Sequence, residues 1–83
     1  MLPARILPSS CPFWDKRVTL GLVRDGHVEF DNAVSSKERT LRAFVAGELA
    51  GAVVLVAWTG RYSTDLFALT TADVTRLLQD REK

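Results

Sequence analysis

"VVLVAWTGRYSTDLF", Val53 to Phe67, decides how this chain is read. With Ala52 it opens as AVVLVAW, an apolar run without alternation, which is the mark of a strand buried on both faces. The longer apolar stretch from Leu49 to Trp58 is about half of the ~20 residues that a membrane span needs. After Trp58 the chain turns through Thr-Gly-Arg-Tyr-Ser, and STDLFAL then supplies a partner strand.

Upstream, "RVTLGLVRDGHVEFDN" alternates apolar and polar residues on either side of a turn and reads as a β-hairpin. A two-residue Asp25-Gly26 loop pairs Leu22 with Glu29 and Leu20 with Asp31, which mixes the faces. A three-residue Arg24-Asp25-Gly26 loop pairs Leu22 with Val28 and Leu20 with Phe30. The second register is therefore expected, with Gly26 as the left-handed residue of a bulge. Between the hairpins, Ser35 and Glu38 have capping-box spacing. Leu41, Phe44, Val45 and Leu49 form a helical stripe, with Lys37, Arg39 and Arg42 mostly off it. Gly47 or Gly51 can end this helix in the left-handed conformation. Thr70 and Asp73 repeat the capping pattern before a last helix striped by Val74, Leu77 and Leu78.

The order is β-β-α-β-β-α, an α+β fold with two layers: a four-stranded antiparallel sheet and two helices on one face. A shift of 35 (53 − 18) carries Val18, Leu20 and Leu22 onto Val53, Leu55 and Ala57, which suggests a ββα pseudo-repeat. Residues 1–15 hold all three prolines and read as an extended arm before a single domain spanning 16–83. Ile6, Leu7, Phe13 and Trp14 give that arm enough apolar area that it should lie on something. Pro3, Arg5 and Pro8 break any continuous apolar core of a signal peptide.

At 83 residues, 47% apolar, 25% charged and with a net charge of +1, the chain is one ordinary globular domain without a field to draw in a polyanion. Cys11 is the only cysteine, so no internal disulfide can form, and a cytoplasmic location is expected. One His and one Cys cannot build a zinc site of four soft ligands, no Gly-rich phosphate loop occurs, and no cofactor is expected. A catalytic Cys11 would need His27 as its base, which the sequence does not announce. The plain reading is a partly covered thiol and an exposed turn histidine.

What remains is binding. Trp58, Arg61 and Tyr62 at the second turn, with Phe67, Phe13 and Trp14, are the residue types that anchor protein interfaces. The competing reading makes Gly60 a turn former, with Trp58 and Tyr62 packed across the strands. If Val53, Leu55 and Ala57 face the helices, then Val54, Val56 and Trp58 are left on the far side. The first hairpin would show mostly Thr19, Gly21, Glu29 and Asp31 there. That apolar patch needs cover from the arm, an identical subunit or another protein. The expectation is a non-enzymatic interaction protein, a regulator or inhibitor that binds a protein partner as a homodimer. The alternative is a nucleic-acid-binding dimer using Arg24, His27, Lys37, Arg39, Arg42, Arg61 and Tyr62.

Overall fold

A computed structural model describes residues 6–82 of the chain; Pro3 and Arg5 of the arm and the terminal Lys83 lie outside the described residues. The elements are β1 (Val18–Arg24), β2 (His27–Asp31), α1 (Val34–Val45), β3 (Val53–Thr59), β4 (Thr64–Ala68) and α2 (Thr71–Arg81). They form the expected α+β architecture, a four-stranded antiparallel sheet in the order β2-β1-β3-β4 with both helices on one side.

The first turn departs from expectation. β1 and β2 join through the two-residue Asp25-Gly26 loop, with Arg24 opposite His27 and Leu22 opposite Glu29. Both loop residues have positive φ, 51° at Asp25 and 78° at Gly26, the requirement of a type I′ turn whose twist matches that of the strands. Turn chemistry therefore wins over face matching. The rule of one shared apolar face fails because β2 lies at the rim, and all five of its residues are exposed.

The register also reverses the expected sides of β3. Leu20 pairs with Val56, Leu22 with Val54 and Val18 with Trp58, while Val56 pairs with Phe67. Val54 and Val56 thus join Val18, Leu20, Phe67 and Leu69 in the core under Leu41, Val74 and Leu77 of the helices. Val53, Leu55 and Ala57 point the other way. The strands are consequently related by 36 rather than 35: Val18 to Val54 (54 − 18) and Leu20 to Val56 (56 − 20). Because Leu20 and Val56 are themselves partners, this register has the arithmetic of a pseudo-two-fold through that pair.

The helix ends follow different rules. Thr70 and Asp73 make the full capping box of α2, with Asp73 N–H donating to Thr70 Oγ1 at 3.2 Å and Thr70 N–H to Asp73 Oδ2 at 3.1 Å. The expected Ser35 cap of α1 is not used. Its N-cap is Ala33, whose N–H donates to Asp31 Oδ1 at 2.8 Å, so the preceding strand holds the helix start. Gly47, at φ 77°, follows the Ala46 C-cap and ends α1.

The arm is part of the core. Leu7 and Phe13 are buried, and Trp14 and Cys11 pack against the same cluster on the helix side. Phe13 and Trp14 meet edge to face at 4.8 Å between ring centres, and the Arg81 guanidinium lies 5.8 Å from the Trp14 ring. Lys37 fastens the arm. Its Nζ donates to the carbonyls of Phe13 and of Asp15, the latter at 2.9 Å, and sits 5.1 Å from the Phe13 ring centre. Lys37 is fully buried, which corrects its placement off the helical stripe.

Candidate functional site

With the arm committed to the helix side, the opposite side of the sheet is the open surface. Along one row Val28, Val23 and Val53 lie side by side; along the next come Phe30, Gly21, Leu55 and Ala68. Thr19, Ala57 and Leu66 form a third row, and Thr59 and Thr64 close the far end with their hydroxyls 3.2 Å apart. None of these strand side chains is ionisable; Arg17, just before β1 and opposite Thr59 at the end of the last row, is ion-paired with Asp15 at 3.0 Å. Val28, Phe30 and Val53 are 49%, 62% and 50% exposed. Contrary to expectation, the apolar patch is not confined to the second hairpin. The type I′ turn puts Val28 and Phe30 outward and sends Glu29 and Asp31 to the helix side.

One edge of the Phe30 ring lies against Gly21. A Cβ at that glycine would meet Phe30 Cε1 at 2.8 Å. The shift of 36 carries Phe30 to Leu66 and Gly21 to Ala57, which also pair. Each rim strand thus sets a large apolar side chain beside a small residue of the inner strand.

The anchors expected from the sequence are scattered. Phe67 and Phe13 are buried and present nothing to a partner. Trp58 is half-buried on the helix side, 6.4 Å from the Phe67 ring, and Trp14 packs on the core. Only Arg61 and Tyr62 project from the second turn, with Tyr62 92% exposed. The turn itself closes through Gly60 N–H to Ser63 O at 2.9 Å. Trp58 and Tyr62 therefore do not form a joint aromatic tip.

The bases named for nucleic acid do not assemble into a stripe either. Lys37 is buried, and burial lowers its pKa despite the nearby Asp15, Cys11 and Asp31. Arg42 lies 3.7 Å from Glu38 and 3.5 Å from Glu82. Arg39 stands near Asp31, whose pKa is lowered chiefly by the Ala33 N–H and then by the Ser36 hydroxyl. Arg24 and His27 face each other at the tip of the first hairpin, where they line a shallow pocket of about 180 Å³ with Leu22, Asp25 and Glu29.

Cys11 stays in the arm. Burial pushes its thiol pKa up, and Lys37 and Arg76 offset this only in part, so the thiol is not activated. Among the described residues no cluster of three or more His, Cys, Asp or Glu could hold a metal ion, and no helix is long and apolar enough to cross a membrane.

No protein-family model matches the chain, and no curated protein or solved structure matches it significantly. The open face is thus the site to which the sequence and the structure themselves lead. Sequence reasoning missed Val28, Phe30 and Leu55 as its members. The available signal was Asp-Gly itself, the strongest short-range mark of a two-residue turn.

Proposed function

We propose that this chain is a non-enzymatic, cytoplasmic interaction protein whose contact surface is the open face of its sheet, and that a second copy occupies that face to give a homodimer. One observation carries the reading: the outward side of all four strands is free of ionisable groups while the arm that might have covered it lies beneath the helices. An uncharged surface offers neither repulsion to an identical copy nor a charge pattern that selects a foreign one. Two sheets can stack about 10 Å apart with their twist offset and interdigitate large and small residues such as Phe30 and Ala57. Occupation of a protein surface in this way is also how a small regulator or inhibitor acts.

Sedimentation velocity of the wild-type chain against Leu55→Lys tests this. The wild type should gain mass as concentration rises into the high micromolar range. Leu55→Lys, with a charge at the centre of the face, should shift that transition at least tenfold upward. The pair Arg61→Ala and Tyr62→Ala should leave it unchanged. A wild type that sediments as a monomer throughout, or a lysine variant that associates equally well, ends the reading.

A further inference from the structure

The rim strand β2 carries a second contact, distinct from the stacked face. Its five residues are exposed on both sides of the sheet. In a two-residue hairpin the flanking residues, Arg24 and His27, exchange both backbone hydrogen bonds, and the ladder alternates from there. His27, Glu29 and Asp31 therefore bond to β1, while the N–H and C=O groups of Val28 and Phe30 point away from it, towards the rim. This strand has no proline and no bulge, but it is short and carries Glu29 and Asp31 on its helix side. Such charges guard an edge and restrict which strand, in which register, can add to it. The opposite rim differs: β4 has Phe67 buried and its neighbours half-covered.

We infer that the β2 edges of two copies pair antiparallel across a two-fold axis at Glu29, joining two sheets into one. The chemistry of β2 selects both occupant and register. A slip of one residue would set Val28 against Glu29 and mix the two sides. Centring the axis on Val28 brings the positive-φ turn residues Asp25 and Gly26 into the ladder, where they cannot extend it. Centring it on Phe30 sets Glu29 against Asp31 twice. The Glu29 register pairs all five residues: Val28 with Phe30 on the open side, and His27 with Asp31 on the helix side. Its single unfavourable feature is Glu29 facing Glu29 at the axis.

Area argues the same way. With strands about 4.8 Å apart and about 3.4 Å per residue, one four-stranded face covers on the order of 450 Å². That flat footprint is small beside the ~800 Å² of accessible surface that each partner buries in a stable interface. Edge pairing doubles the width of the open face. It also adds a two-fold perpendicular to the sheet, which closes with the stacking two-fold into a four-chain assembly.

The like-charge pair at the axis supplies the test. Two full-length chains distinguishable by isotope, both with Leu55→Lys to remove the stacked contact and one also with Glu29→Lys, are mixed and weighed by native mass spectrometry. Replacing a like-charge cross-strand pair by an opposite one should enrich mixed dimers roughly two- to fivefold over random pairing. Backbone amide exchange at Val28 and Phe30 should slow as concentration rises, whereas the amides of the β4 rim should not respond. Random pairing, or Val28 and Phe30 amides that exchange equally fast at all concentrations, overturns the edge contact. Because the stacked face is disabled in both chains, that outcome leaves the stacked-face reading standing on its own test.

Discussion

β2 and β4 occupy equivalent places at the two rims of the sheet, yet Phe67 of β4 is buried while every residue of β2 is exposed. The shift of 36 puts Asp31 where β4 has Phe67 (67 − 31), and Glu29 where it has Asp65 (65 − 29). One inward position therefore separates the hairpins. A phenyl ring there draws β4 under the helices, and a carboxylate there leaves β2 as a shelf. The carboxylate is used locally, since Asp31 accepts the first free N–H before α1. A ββα unit can thus be built twice and spend one rim on the core and the other on the surface.

The strongest way to break the contrast is to truncate the aromatic residue on each rim. Phe67→Ala should lower stability by about 4 kcal/mol, the usual cost of emptying a buried phenyl site. Phe30→Ala, on a side chain still 62% exposed, should lower it by under about 1 kcal/mol in the dilute monomer. Urea unfolding at low micromolar concentration measures both. Equal losses would mean that β2 belongs to the core after all.

Lys37 tests what the covered side depends on. Lys37→Met keeps a linear side chain but leaves the carbonyls of Phe13 and Asp15 without their donor, for a loss of about 2 kcal/mol. The pH dependence has a definite sign. Burial lowers the folded-state pKa of Lys37 below its ordinary 10.5, so the folded chain holds this proton less tightly than the unfolded chain. Stability from this group therefore rises with pH between the lowered value and 10.5. The gap between wild type and Lys37→Met should widen as pH is raised through that window. A gap that narrows would show that the amine is not a desolvated cation in the fold.

Element order, the four strands, both helices on one side and the Thr70 cap were all legible, because each rests on periodicity or on a local cap. Sidedness was not. It depends on a register that Asp25-Gly26 sets, and the rule of a shared apolar face does not bind a rim strand lying beyond the helices. Lys37 was hidden by its charge, although with Leu41 and Phe44 it stands at i, i+4 and i+7 on one helical stripe. The arm's destination followed from Lys37 and was hidden with it. The open face is hidden for the same reason as the register: matching apolar faces puts Val28 and Phe30 on the side that in fact carries Glu29 and Asp31.

The smallest expected effect sharpens the comparison most. Gly21→Ala gives the first hairpin the inner residue that the second already has in Ala57. The new methyl would come within 2.8 Å of Phe30 Cε1 and 3.1 Å of Cδ1, so the ring must move. On a shelf it can, because its far side meets solvent. The cost of displacing the ring is then offset by the gain of roughly 0.5–1 kcal/mol from replacing a glycine within a regular strand. The net change in the dilute monomer should fall within about 0.5 kcal/mol, with the Phe30 ring resonances shifted. A loss of 2 kcal/mol or more would mean that the ring is pinned on Gly21. Phe30 would then be a structural counterpart of Phe67 on the opposite side of the sheet, and the first hairpin would have a small core of its own.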